Sequence, residues 1–256
     1  LIIGVAIYFS VNSLKKPQIV GSSDTFATIS ANHQRKLFYA NGFHWIFFCN
    51  GSQIFYSSSS NGVSWNKPIA VENSSSSSAM SIWFDQTVHY VCAPGIPGSS
   101  VLYRRGGISG KEMVWEEYRT VIEGSPSYRY YNGYCIKDGL GYPWAACIES
   151  DGSSWYGCTV KAQVADGSDW ETPQRIFGPF IVPKRVSILP LDHGKVYAIC
   201  AGTDGVRGRL WNGTLWMSEE VITSVSLVVD YGYSAVSHDG NVHLVLLEKS
   251  KHDILC

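Results

Sequence analysis

A short sequence pattern recurs along the chain at intervals of about 50 residues, and it constrains the fold more than any other feature. Five apolar segments, four of them ending in cysteine, carry the pattern at 45–49, 88–92, 143–147, 196–200 and 242–246. Their first residues are 43, 55, 53 and 46 positions apart. Four of the segments are followed by a turn and then by a tryptophan, at Trp65, Trp115, Trp170 and Trp216. The chain therefore consists of several copies of one structural unit of about 50 residues.

The composition indicates that this unit is made of strands. Aromatic residues make up 13% of the chain, glycine occurs 25 times and only 16% of the residues are charged, which is typical of short strands and tight turns. Each repeat has room for four antiparallel strands. Such a unit cannot bury both of its faces alone, so neighbouring units must stack around a common axis. The chain is therefore predicted to be an all-β protein with a β-propeller fold.

The repeats predict five four-stranded blades, at residues 33–73, 78–123, 130–178 and 184–222 and from 226 to the end of the sequence. Six blades are the alternative, which requires one blade outside this chain. The last repeat lacks a fourth strand, and residues 14–20 resemble the outer strands of the other repeats. We therefore expect this N-terminal strand to close the ring, which makes residues 14–256 a single domain.

The first 13 residues form a separate apolar segment. Residues 1–11 are too few to span a bilayer as a helix, which takes about 20 residues. They are expected to be the remnant of a membrane anchor or signal sequence, or alternatively a strand. Glycosylation sequons begin at Asn50, Asn73 and Asn212. Together these features predict an extracellular or cell-surface glycoprotein, with a membrane anchor at its N-terminus as one option.

Charge and cysteine usage exclude several function classes. The chain has 20 basic and 21 acidic residues, so it offers no broad surface for nucleic acid. The seven cysteines form no CxxC pair and no cluster with histidine at zinc spacing. We therefore predict no metal and no cofactor. Four cysteines occupy equivalent strand positions, where they are expected to act as small buried apolar side chains; they are Cys49, Cys92, Cys147 and Cys200.

Residues 58–65, Ser-Ser-Ser-Asn-Gly-Val-Ser-Trp, resemble the Asp-box, also called the BNR repeat. Ser58, Gly62 and Trp65 fit the pattern, while Ser60 replaces the aspartate. More degenerate copies keep only a glycine and a tryptophan, namely Gly167 with Trp170 and Gly213 with Trp216. The resemblance is to the sialidase-like β-propeller superfamily, and it implies that these segments are turns between the third and fourth strands of a blade.

The same resemblance implies candidate catalytic residues. A sialidase-like site needs an arginine triad for the substrate carboxylate, a tyrosine nucleophile and an acid/base aspartate. The Arg-Ile-Pro motif of the family is absent, but Tyr233 stands where its nucleophile is expected. A different glycoside hydrolase would use paired carboxylates, for which Asp24 and Asp230 are placed at the starts of first strands.

A cluster of tyrosines is the best candidate for a binding surface. It precedes the first strand of the third repeat and comprises Tyr128, Tyr130, Tyr131 and Tyr134. Aromatic faces stack on sugar rings, although the same side chains can instead cap the edge of a blade. We therefore predict a non-catalytic scaffold or a module that binds glycans or another surface protein. The alternative is a sialidase-like or other glycoside hydrolase that acts at the mouth of the propeller channel.

Overall fold

Apart from a single-turn 3-10 helix (Asp192–Gly194) and Ala79, which is also in 3-10 conformation, the regular secondary structure is β-strand throughout the part of the chain that the computed structural model describes. The described residues are 20–21, 31, 33–74, 79–228, 232–249 and 254–255. Residues 1–19, and with them the apolar N-terminal segment, lie outside this set. The same holds for the candidate carboxylates Asp24 and Asp230.

Four blades of a β-propeller are complete. Blade 1 contains β1 (Leu37–Ala40), β2 (Phe43–Cys49), β3 (Gln53–Ser59) and β4 (Ile69–Asn73). Blade 2 contains β5 (Met80–Phe84), β6 (Val88–Cys92), β7 (Val101–Ser109), β8 (Glu112–Trp115) and β9 (Arg119–Ile122), where β8 and β9 both pair with β7. Blade 3 contains β10 (Arg129–Lys137), β11 (Pro143–Ser150), β12 (Trp155–Lys161) and β13 (Gln174–Phe180). Blade 4 contains β14 (Arg185–Pro190), β15 (Val196–Gly202), β16 (Gly205–Trp211) and β17 (Glu220–Thr223).

The first four predicted units match these blades closely, because the same backbone frame recurs in each. The residue after each repeat tryptophan donates its backbone N–H to a carbonyl of the third strand. The four bonds join Asn66 to Ser58, Glu116 to Arg105, Glu171 to Lys161 and Met217 to Leu210, at 2.9, 2.9, 2.9 and 2.7 Å. Each repeat tryptophan therefore ends a hairpin that leads the chain from the third strand of its blade to the fourth.

The prediction of five four-stranded blades closed by the N-terminal strand is not supported, because the described residues form four blades. The last repeat forms a three-stranded sheet of β18 (Tyr233–His238), β19 (Asn241–Leu247) and β20 (Ile254–Leu255), called here the fifth sheet. Two described residues form its third strand. In blade 3 the second strand, β11, is buried at all eight positions, whereas in β19 only Leu246 is buried. Within the described residues, the fifth sheet packs on blade 4 and leaves most positions of its second strand unburied, unlike a full blade.

Apolar layers between neighbouring blades form the core. Blades 1 and 2 enclose Trp45, Phe47 and Tyr90, and blade 4 packs on the fifth sheet through Ile199 and Leu246. All six cysteines in the described residues are buried and none forms a disulfide. The four repeat cysteines lie on the second strand of each blade, in β2, β6, β11 and β15. Burial raises the pKa of the Cys92 and Cys200 thiols to about 12, so they stay protonated and pack as small apolar groups.

Candidate functional site

The strand register of blade 3 brings three chain segments together at one end of the blade. In antiparallel pairs the start of β10 lies beside the end of β11 and the start of β12. Arg129 is paired with Ser150, and Ser150 is paired in turn with Trp155. Side chains of directly paired residues project from the same face of a sheet, so Arg129 and Trp155 flank Ser150 on one face.

A cleft of about 370 Å³ opens at this end of blade 3. The residues that give it chemical character are Ser127, Arg129, Tyr131, Ser150, Asp151 and Trp155, and prolines 97 and 126 complete its wall. Arg129 and Asp151 are exposed, while Tyr131 and Trp155 are half-buried. The volume falls in the range of small-molecule sites, which is about 300–1,000 Å³. A mixed aromatic and polar lining suits a ligand with both an apolar face and hydrogen-bonding groups.

Tyr131 and Trp155 form an aromatic pair in the cleft. Their ring centroids lie 5.5 Å apart and the planes are tilted by 38°. The backbone of Gly95 supports the Tyr131 ring: a Cβ atom at Gly95 would lie 2.5 Å from Tyr131 Cδ1. Gly95 also has a φ of +76°, a conformation that side chains other than glycine rarely adopt. Glycine is therefore required at position 95 for the ring to lie where it does.

Two polar side chains of the cleft, those of Ser150 and Asp151, are hydrogen-bonded to the backbone of the β11–β12 turn. The Oδ1 atom of Asp151 accepts the backbone N–H groups of Ser154 and Ser153, at 2.7 and 2.8 Å. These bonds lower the pKa of Asp151, so its carboxylate is ionised at neutral pH. Ser150 Oγ accepts the N–H of Gly152 at 3.1 Å, which leaves its hydroxyl proton free to donate.

The four predicted tyrosines take three different environments. Tyr131 is the one that lines the cleft. Tyr128 is half-buried beside the Arg175 guanidinium, whose central carbon lies 5.4 Å from the ring centroid. Tyr130 and Tyr134 are buried in the core, at 5% and 1% exposure. Sequence reasoning did not select Trp155 as a ligand residue, since only the pairing of three strands places it beside Tyr131.

The candidate nucleophile Tyr233 is buried at the start of β18, with 2% exposure. Its hydroxyl lies 3.1 Å from Ser187 Oγ, and its ring stacks on His33 with centroids 5.1 Å apart. Burial raises the pKa of Tyr233 well above its usual range, so the phenol stays protonated. The ring of His33 also stacks on Tyr134, at 6.4 Å. The three rings therefore fill space between the inner strands of blade 3, blade 4 and the fifth sheet.

Polar groups beside this stack include a buried amine. Lys36 Nζ donates to Gln34 Oε1 at 2.8 Å, and Gln34 Nε2 donates to the carbonyl of Gly133 at 2.8 Å. Burial lowers the pKa of Lys36 to about 7. Burial also lowers the pKa of His33, to which the charges of Arg185 and Lys36 contribute, so the imidazole is neutral. Asp24 and Asp230 are not among the described residues, so the described structure does not test the paired-carboxylate hypothesis.

The remaining predicted sites lie in turns. Asn50 is half-buried in the β2–β3 turn, while Asn73 at the end of β4 and Asn212 after β16 are exposed. The Asp-box-like segments of blades 1, 3 and 4 connect the third and fourth strands. Ser58 Oγ in the first of them donates to the carbonyl of Lys111 in blade 2 at 2.9 Å. Trp170 Nε1 in the second donates to the carbonyl of Gly167 at 3.0 Å.

The described residues contain neither a metal-binding cluster nor a membrane-spanning helix. No group of three or more His, Cys, Asp and Glu side chains in them is arranged to hold a metal ion. None of their helices is long and apolar enough to cross a membrane.

No protein-family model matches the sequence, and no curated protein is significantly similar to it. Solved structures do share its fold. An endo-arabinase from Bacteroides thetaiotaomicron aligns with a TM-score of 0.53 and 12% identity over 89% of this chain and 93% of its own. An α-L-arabinanase from Penicillium chrysogenum aligns with a TM-score of 0.57 and 11% identity over 91% of this chain and 82% of its own.

The NanB sialidase from Streptococcus pneumoniae also has this fold, with a TM-score of 0.50 and 10% identity over 78% of this chain. The chain spans only 33% of the length of that sialidase. At these identities the likeness establishes the fold alone. The protein therefore has a β-propeller fold shared with carbohydrate-active enzymes, which is consistent with the sialidase-like fold implied by the sequence.

Proposed function

We propose that this protein is a carbohydrate-binding β-propeller and that the blade 3 cleft is its saccharide site. The observation that carries the proposal is the aromatic pair of Tyr131 and Trp155, which shares a cleft of about 370 Å³ with Arg129 and Asp151. Sugar rings present apolar C–H faces that stack on aromatic rings, and their hydroxyl groups bond to charged side chains. The cleft supplies both kinds of contact.

Binding without hydrolysis is favoured by the acid–base chemistry of the cleft. Glycoside hydrolysis uses two carboxyl groups, one of them protonated to act as a general acid. Asp151 is the one carboxylate among the described lining residues, and its lowered pKa keeps it ionised. A carboxylate of this kind accepts hydrogen bonds from sugar hydroxyl groups but is a poor proton donor at neutral pH.

We extend the proposal to an extracellular or cell-surface location, where glycans and other surface proteins are the available partners. Asn73 and Asn212, both exposed, each begin a sequon, and a glycan at either position would not displace a buried group. The expected outcome in a eukaryotic secretory host is a mass shift that a peptide N-glycosidase removes. The variants Asn73→Gln and Asn212→Gln test the two sites separately. If the secreted chain shows no mass shift in either variant, the glycoprotein part of the proposal is contradicted.

Binding of the purified chain to a panel of neutral and acidic plant, algal and animal oligosaccharides, measured by calorimetry, tests the function. We expect Tyr131→Ala and Trp155→Ala each to weaken binding at least about tenfold, because each removes a stacking surface. Tyr39→Ala is the matched control: Tyr39 is 61% exposed on β1, outside the cleft. Binding that survives both cleft substitutions would refute the proposal. Saccharide cleavage that is lost in Asp24→Asn or Asp230→Asn would instead establish the glycoside hydrolase alternative.

A further inference from the structure

The guanidinium of Arg129 is the only cationic group among the described residues that line the cleft. Arg129 is exposed, and within the described residues it forms no salt bridge and donates no side-chain hydrogen bond. Two other arginines of the propeller have acidic partners. Arg105 is paired with Glu116, and Arg175 is paired with Glu149. An arginine without an acidic partner in a binding cleft keeps all five of its N–H donors for a ligand.

The cleft also carries the complementary charge, on Asp151. Asp151 is fixed by the two backbone N–H groups that its Oδ1 atom accepts, which leaves Oδ2 for a ligand. No ion pair joins Arg129 to Asp151, so each charge is free to meet a separate group of the ligand. The rings of Tyr131 and Trp155 line the same cleft as the two charges. The cleft thus combines one cationic group, one anionic group and an aromatic pair.

We propose that the cleft selects an acidic saccharide, specifically a uronic acid residue whose carboxylate binds Arg129. The inference rests on the proposed saccharide-binding function. The planar fork of a guanidinium matches a carboxylate with two parallel hydrogen bonds, a geometry that a neutral hydroxyl group cannot satisfy. The sugar ring then stacks on the aromatic pair, and a ring hydroxyl donates to Asp151. This arrangement also orients the sugar, because a carboxylate turned towards Asp151 would meet a like charge.

The test compares matched oligosaccharides on the intact chain. Calorimetric titration uses glucuronate-, galacturonate- and mannuronate-containing oligosaccharides, their methyl esters, their neutral counterparts and sulfated galactans. We expect the free acids to bind at least about tenfold more tightly than the esters, and Arg129→Gln to remove that preference. Arg129→Lys keeps the positive charge but loses the planar guanidinium, so we expect this variant to retain only part of the preference for the free acids. Arg119→Gln, at an exposed arginine of β9 outside the cleft, is the control and should change nothing.

Each remaining outcome contradicts a defined part of the inference. If the esters and neutral sugars bind as well as the acids and Arg129→Gln has no effect, selection by charge is wrong while saccharide binding stands. If sulfated galactans bind more tightly than every uronate, the cleft is anion-selective but the carboxylate assignment is wrong. If no saccharide binds, or if binding is unchanged in Trp155→Ala, the proposed function itself fails together with the inference.

Discussion

Gly95 offers the sharpest test of how the cleft is built, because the chain contains a matched control three residues away. In Gly95→Ala the new Cβ atom would lie 2.5 Å from Tyr131 Cδ1 and 2.6 Å from Cε1. The ring must move by about 1 Å to regain ordinary van der Waals contact. Gly98 has nearly the same backbone conformation, with a φ of +78° against +76°, but nothing lies within 4 Å of its Cβ position. Gly98→Ala therefore introduces the backbone strain without the displacement of Tyr131.

The two variants should separate stability from binding. Alanine with a positive φ costs about 1–2 kcal/mol, and for a chain of this size each kcal/mol lowers the Tm by about 2–4 °C. Thermal unfolding should thus show a similar decrease in Tm from backbone strain in both variants. In Gly95→Ala the Tm should fall further, because the Tyr131 ring is displaced as well. Calorimetry with the best saccharide of the panel should show an unchanged Kd for Gly98→Ala and a Kd raised at least about tenfold for Gly95→Ala. Equal saccharide affinity in the two variants would refute the role assigned to Tyr131 and its support by Gly95.

Three further predictions concern the fold. Ile199 is fully buried against the fifth sheet and Val236 is 51% exposed, so Ile199→Ala should lower the free energy of unfolding in urea by about 2–4 kcal/mol and Val236→Ala by less than about 0.5 kcal/mol. Burial acts to raise the pKa of Asp85, but hydrogen bonds from His89 and Lys137 outweigh it and hold that pKa below its usual range. A depressed carboxyl pKa stabilises the fold above the unfolded value of about 3.9, and this contribution is lost as the pH falls below it. Asp85→Asn should therefore flatten the decline in denaturation midpoint between about pH 5 and pH 2, and an unchanged decline would contradict the assignment. Tyr233→Phe should cost about 1 kcal/mol of stability and leave saccharide affinity unchanged, whereas loss of a measurable hydrolytic activity would support Tyr233 as a catalytic residue.

The blades could be predicted from the sequence because each repeat carries its own local signals. Tryptophan after a turn marks the hairpin before the outer strand, and a small cysteine marks the buried second strand. These signals depend on contacts within one blade or between neighbours, so they recur at a fixed spacing. The same reasoning was less successful for the fifth sheet: its second strand has the apolar pattern of the others, but only two of the described residues form its third strand. The pattern of one strand therefore does not show whether a blade is complete.

The site could be predicted only in part, because a β-bulge interrupts the strand that carries the tyrosines. The register of β10 on β11 shifts between Tyr131 and Tyr134, and Asn132 has a φ of +58°. Tyr130 and Tyr134 are an even number of residues apart, so a regular strand would place them on the same face. The bulge turns them to opposite faces, with Tyr130 packed between blades 2 and 3 and Tyr134 between blades 3 and 4. The partners Arg129 and Trp155 follow from strand register, which the sequence alone does not specify.

A crystal structure of the chain with a bound oligosaccharide from the panel tests the central proposal most directly. We expect a sugar ring to stack on Tyr131 and Trp155 in the blade 3 cleft, with its acidic group on Arg129 and a hydroxyl group on Asp151. A saccharide bound instead between the inner strands, beside His33 and Tyr233, with the blade 3 cleft empty, would contradict the proposal and favour a channel site.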